Sequence, residues 1–365
     1  MIADLIAPRP TALRAVLLLA LCASLAPLAA CKKKEEAAAT PGGDQPPAEQ
    51  PTEEKPKEEP AAELKPKWPA GKRLVTQLVT HSDTEMANPM TQQPIKSENF
   101  LTQEFAFTAG PERAGGGTEV EVEVVSVRSE NRVAGKAIPV FDPKGDPKAE
   151  RNNPMAGAFR KLMGSRVKYQ TDAEGKVTRV DGAPQLVSKL TTGLPPQTQF
   201  IVRSLVSEDA IKGWNVLHAN LPTNAVKAGD TWESSRDIPF GIAKFALTST
   251  NTFKGWEQRN NKKMAKIEMA GLIAPKEGSQ SAITLGEGAT VAGQAWYDPD
   301  LGVVAESDVT AQFSVNIAQP TGQATTSKIK TKTTSKLIET GDAGGNAGKV
   351  TEKPATPAPK PADKK

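Results

Sequence analysis

Residues 309–317 constrain the fold more tightly than any other stretch of this chain. Val309, Ala311, Phe313, Val315 and Ile317 alternate with Thr310, Gln312, Ser314 and Asn316. A period of two puts each set on its own face of an extended strand, one apolar and one wet. Val120, Val122 and Val124 alternate with Glu119, Glu121 and Glu123 in the same way. Strands with one solvated face belong to antiparallel sheets. Further strands are expected at residues 73–81, 100–108, 244–253, 264–269, 291–297 and 328–337. In the last of these, Lys328, Lys330, Lys332 and Lys336 read as a solvated face whose charge discourages edge pairing, with an anionic-surface patch as the alternative.

Two turns look alike. Val167-Lys168-Tyr169-Gln170-Thr171 enters Asp172-Ala173-Glu174-Gly175, and Ala295-Trp296-Tyr297 enters Asp298-Pro299-Asp300-Leu301-Gly302. Aspartate opens each turn and glycine supplies the positive φ that closes it. Both tyrosines of the chain precede these turns, which suggests two similar β halves, 68–182 and 238–340. Between them, residues 183–237 are helical in character. Short helices are expected at 184–190, 199–206 and 207–218, the last capped by Ser207 with Glu208 and Asp209 in its first turn. A further one is expected at 155–163. The expected fold class is therefore α+β and mainly antiparallel β: a twisted meander with a central helical insert packed on the sheet.

The ends are built differently. Residues 32–67 consist mostly of Lys, Glu, Ala and Pro, with no aromatic before Trp68. Such a segment cannot bury enough apolar surface to offset chain ordering, so it reads as a solvated tether of roughly 35 Å as a flexible coil. Residues 341–365, with Gly344-Gly345, Pro354, Pro357, Pro359, Pro361 and scattered lysines, read as a disordered tail. At the other extreme, residues 1–30 run from a weakly positive head (Arg9, Arg14) through the apolar 15–26 to Pro27, the order of an export signal and too short for a membrane span. This leaves 68–340 as the folded domain, ample for a core.

The leader closes on Leu28-Ala29-Ala30-Cys31, followed by Lys32-Lys33-Lys34. That tetrapeptide resembles a bacterial lipobox. The resemblance implies cleavage before Cys31 and a diacylglyceryl group on its sulfur, with palmitate among the fatty chains. It also implies a mature chain anchored in the cell envelope. Lys32 stands where an aspartate would resemble an inner-membrane retention signal, so the implied site is the outer membrane, facing the periplasm. Cys22 lies inside the leader and the chain has no other cysteine, so the mature domain is expected to use neither thiol chemistry nor a disulfide.

A second resemblance lies in the body. Leu162-Met163-Gly164-Ser165, the turn 172–175, Lys176-Val177-Thr178-Arg179-Val180-Asp181-Gly182, Leu221-Pro222, and Val226-Lys227-Ala228-Gly229-Asp230-Thr231-Trp232 are similar to an uncharacterised family of exported and lipid-anchored bacterial proteins. The resemblance implies fold and location, with no activity or cofactor attached. Gly229-Asp230-Thr231-Trp232 reads as a tight turn leading to a buried indole.

Reactive constellations are sparse. His81 and His218 are the only histidines and lie far apart in sequence, each reading as a surface or strand residue, so no metal site is expected. Ser327-Lys328-Ile329-Lys330 fits a Ser-x-x-Lys pattern but falls in an expected exposed strand. Asp298–Gly302 differs from a calcium loop in the place of its glycine and lacks the distal glutamate. Residues 344–348 before Lys349 fall one residue short of a phosphate loop. Glu119, Glu121 and Glu123 form a file of carboxylates, far more often solubilising than catalytic. With 46 basic and 42 acidic residues, the net charge of +4 gives no nucleic-acid footprint.

The expectation is a non-enzymatic binding or structural module without catalytic residues, metal or cofactor, its site residue being Cys31 for lipidation. Its expected partners are the membrane, through the lipid, and an apolar ligand or cell-wall polymer. The alternative is a cell-wall or glycan hydrolase using carboxylates such as Glu119, Glu121 and Glu123. An aromatic content of 5% argues against the stacking rings of a sugar cleft.

Overall fold

The computed structural model describes residues 61–87, 93–133, 135–148, 150, 153–240, 243–276, 283–318, 324–344 and 348–349. The leader, Cys31, the tether up to residue 60 and the tail from residue 350 lie outside the described residues.

Chain order runs β1 (Lys72–Ala87), β2 (Pro94–Glu112), β3 (Thr118–Val133), β4 (Lys136–Phe141), α1 (Pro154–Leu162), β5 (Arg166–Thr171), β6 (Val177–Asp181), α2 (Ala183–Thr191), α3 (Pro196–Leu205) and α4 (Glu208–Lys212). It continues with β7 (Thr231–Phe240), β8 (Ala243–Arg259), β9 (Lys262–Pro275), β10 (Ile283–Leu285), β11 (Thr290–Asp298), β12 (Val303–Ala318), β13 (Ala324–Asp342) and β14 (Gly348–Lys349). The fold is mainly antiparallel β, with 60% of the described residues in strands against 13% in helices, so the sheet is the frame and the helices cover part of it.

The sheet order is β6-β5-β3-β2-β1-β13-β12-β11-β9-β8-β7. The chain thus enters at the centre and meanders outward to β6. It then crosses through the helices to the far edge and meanders back, until β13 pairs antiparallel with β1 from Lys72↔Asp342 to Met86↔Ser327. The second meander begins at Thr231, earlier than the expected residue 238. Because β13 lies between β1 and β12, its lysines do not guard an edge, which corrects that expectation. They stand on the outer face, where Lys332 pairs with Asp308 (2.8 Å) and Lys330 and Lys328 lie across from Asp83 and Glu85.

The helices pack on the first meander. Val120, Val122 and Val124 from β3, Phe105 and Phe107 from β2, and Tyr169 from β5 join Phe159, Leu186, Leu190, Val202 and Ile211 in one core. Helix starts follow local chemistry. Asn153 caps α1 by accepting from the amides of Met155 and Ala156, and Ser207 caps α4 by accepting from Ala210 N–H at 3.2 Å. The expected helix at 207–218 stops at Lys212, because Gly213 caps it and Trp214 turns inward to stack on Phe105, 5.0 Å between ring centres.

Residues 61–67 correct the expected end of the tether. Ala62 exchanges backbone hydrogen bonds with Val226 (2.7 and 2.9 Å), and Leu64 is 1% exposed, in a cluster with Phe253, Ile267 and Tyr297. Lys67 N–H donates to the Gly302 carbonyl at 3.0 Å, and Trp68 Nε1–H donates to the Gly175 carbonyl at 3.0 Å. This strap therefore ties together the two aspartate–glycine turns that the sequence pairs. Gly302 has φ +70°, and a Cβ there would meet the Lys67 side chain at 2.4 Å, so both conformation and close approach demand glycine. At the other end, Gly341 and Asp342 belong to β13, and the short β14 pairs with Glu339 and Thr340, so the tail also starts later than expected.

Candidate binding site

The inner face of the second meander curls into a trough. β1 and β7 are six strand positions apart, roughly 29 Å in a flat sheet. Leu78 of β1 and Arg236 of β7 nevertheless line one cavity of about 80 Å³. Glycines inside strands permit the bend. A Cβ on Gly271 of β9 would meet the Thr248 carbonyl oxygen at 2.5 Å, and one on Gly293 of β11 would meet that of Asp308 at 2.4 Å.

Residues 213–220, the chain after α4, roof this cavity. Trp214 anchors the roof on Phe105, the Leu217 carbonyl accepts from Val304 N–H at 2.6 Å, and Asn220 pins its far end. Asn220 Nδ2–H donates to Met269 Sδ at 3.0 Å, its carbonyl accepts from Trp232 Nε1–H at 2.9 Å, and its Oδ1 accepts from Ser234 at 3.1 Å. Its φ of +58° falls where asparagine is tolerated. Thr231-Trp232 thus positions a half-buried indole that holds the roof, less enclosed than the sequence suggested.

The cavity wall mixes apolar side chains (Met269, Val304, Val309) with small polar ones (Ser307, Thr333, Ser335). Hydroxyls run along the seam: Ser307 with Ser335 at 2.6 Å, Thr80 with Thr333 at 3.3 Å, Ser82 with Thr331 at 2.9 Å. Short side chains there leave space that Leu or Phe would fill. Two polar atoms of the wall are enclosed without a partner, Arg236 Nε and Asn251 Oδ1. Burial lowers the Arg236 guanidinium to about 10, still a cation at neutral pH. Sequence reasoning passed over Arg236. The available signal is parity, since Arg236 shares its strand face with Trp232, Ser234 and Ile238.

The residues singled out in the sequence do not converge. Glu119 pairs with Lys168 (2.7 Å), while Glu121 and Glu123 both pair with Arg166 (3.1 Å each), on the outer face of β3. Hydrogen bonds from Lys168 and then Gln170 hold the Glu119 carboxyl below its ordinary value, the opposite of what a general acid needs. Ser327 is buried and Lys330 exposed, an odd spacing that puts them on opposite faces of β13. The strand expected to be exposed is therefore half interior. Asp298 is buried, its Oδ1 accepting from the amides of Asp300 and Leu301 and its Oδ2 from Lys262 (2.7 Å), which fills its oxygens with turn contacts. Of residues 344–348, 345–347 lie outside the described residues.

The histidines differ from each other. His81 of β1 stacks on Phe100 (4.3 Å between centres) near Asp83 and Glu98. His218 lies in the chain after α4 rather than in a strand, and is half-buried. It wedges edge-on against Trp68 at 4.2 Å and donates from Nε2 to the Lys67 carbonyl at 2.9 Å, beneath the strap. Desolvation pulls its imidazole down to about 4, against the upward pull of the Lys67 and Gly302 backbone.

No curated protein sequence matches the chain. Among solved structures it is similar to lipovitellin, from a study of lipid–protein interactions in that protein, at TM-score 0.43 and 10% identity, over 78% of this chain. The chain spans only 27% of the lipovitellin chain. It is also similar to a protein from Bacteroides fragilis, described as exported with a YmcC-like fold, at TM-score 0.24 and 12% identity, over 74% of this chain and 97% of the other. A third is an outer membrane lipoprotein-sorting protein domain from Vibrio parahaemolyticus, at TM-score 0.14 and 8% identity, over 74% and 86%. The family model described as a family of unknown function, DUF6263, matches residues 116–302. That span covers just over half of the chain, from the β2–β3 turn to the glycine under the strap, and the chain belongs to this family.

Proposed function

We propose that this chain is a lipid-anchored envelope protein, fixed through Cys31 in the outer membrane and facing the periplasm, whose curled sheet is a non-enzymatic binding module for an apolar ligand. The observation that carries the binding half is the roofed cavity on the inner sheet face, walled largely by apolar and small side chains where the helices of the first core do not reach. The anchoring half rests on the export-type leader and Leu28-Ala29-Ala30-Cys31. Ion pairs occupy the glutamates that a hydrolase would need, which favours binding over turnover.

Two measurements test the two halves separately. Bacteria producing the chain and fed labelled palmitate should incorporate label that Cys31→Ser abolishes; unlabelled protein refutes the anchor. Native mass spectrometry of the Cys31→Ser chain should retain an apolar adduct, and a bare polypeptide mass that stays bare after incubation with alkyl ligands refutes the module.

A further inference from the structure

Arg236 is the one cation on the cavity wall, and no Asp or Glu lines that cavity. Its Nε is enclosed without a hydrogen-bond partner. The neighbouring Asp237 points to the other strand face, where it pairs with Lys276. Arg236 as a whole is half-buried, but a guanidinium whose Nε is shut from water with nothing opposite is costly to keep, and a hydrophobic residue of similar size would fill the same place more cheaply. A charge so placed on a cavity wall marks a site where a ligand can supply the missing partner.

The wall also limits what that ligand is. One guanidinium balances one negative charge, so a monoanion leaves the pair neutral while a phosphate monoester leaves surplus charge buried. About 80 Å³ corresponds to two or three waters at about 30 Å³ each. That is room for a carboxylate and its first carbons. Met269, Val304 and Val309 then offer apolar contact to an alkyl chain. The planar fork of arginine matches a carboxylate in two parallel hydrogen bonds. We propose that Arg236 receives the acid group of an alkyl monocarboxylate bound beneath the roof formed by residues 213–220. This assignment rests on the binding-module reading above and names the chemistry of its ligand.

Calorimetric titration of butyrate and of butanol into the full chain carrying Cys31→Ser tests it. Butyrate should bind about tenfold or more tighter than butanol. In Arg236→Leu that preference should vanish while butanol affinity stays, and Arg236→Lys should keep part of it. Thermal melting of ligand-free Arg236→Leu should rise, since an unpaired charge has been removed. Equal affinities in the Arg236 chain, or a preference that survives Arg236→Leu, overturn the assignment while leaving an apolar binding module standing. If neither compound binds, the module itself fails and the assignment falls with it. Should Arg236→Leu not fold, Arg236→Gln replaces it, and the ratio measured in the Arg236 chain decides independently.

Discussion

His218 shows how one side chain can set a pH limit on the whole fold. In the unfolded chain it titrates near 6.5, and in the folded chain burial beneath Trp68 lowers it to about 4. Above the higher value both states hold a neutral imidazole, so stability is unaffected. As pH falls through that window the unfolded state takes up a proton that the folded state refuses, and stability is lost until the folded imidazole also charges. The loss amounts to at most about 3 kcal/mol. His218→Gln keeps an N–H donor for the Lys67 carbonyl and removes the titration. Urea unfolding at about pH 7 and about pH 4.5 should therefore show a smaller drop for His218→Gln than for the parent chain. Equal drops would remove His218 as the cause. The two tyrosines are held similarly: Tyr169 donates to the Ile211 carbonyl and Tyr297 to that of Lys65 at 2.7 Å, and burial raises both hydroxyls, Tyr297 to about 12.

Among the elements, the strap of residues 61–68 ties down the two turns through a few contacts. Its one large apolar side chain before Trp68, Leu64, packs against Phe253, Ile267 and Tyr297. Leu64→Ala should cost about 2–4 kcal/mol in chemical denaturation, far more than a residue in a solvated linker would. A change under about 0.5 kcal/mol would return these residues to the tether. A lone leucine among Lys, Glu and Pro carries no periodic signal, so the strap was invisible in the sequence. Strands were legible where the inner face is apolar, as at 309–317. They were cut short where hydroxyls line it. β1 was expected to end at His81 because Ser82 and Thr84 face inward, yet the strand continues to Ala87. β13 hides Thr325, Ser327, Thr331, Thr333 and Ser335 in the same way. The capping of α4 by Ser207 was readable from its residues, whereas the roof after Gly213 depended on a distant partner, Phe105.

At the scale of the molecule, the pairing of β1 with β13 joins two meanders that are otherwise built from local hairpins. A chain ending at residue 323 loses β13 and with it the β12–β13 hairpin, keeps the hairpins on either side, and exposes the flanks of β1 and β12, both long strands. Such bare flanks template association between copies. This truncated chain should elute as aggregate in size-exclusion chromatography and lose cooperative melting; a monodisperse, cooperatively melting product would show that the halves fold separately. The pairing also has a temporal side. Lys72 meets Asp342 at a sequence separation of 270, and contacts of such separation form late. A ribosome must therefore deliver nearly all of the polypeptide before the first strand finds its last neighbour. Until then β1 keeps one flank unpaired.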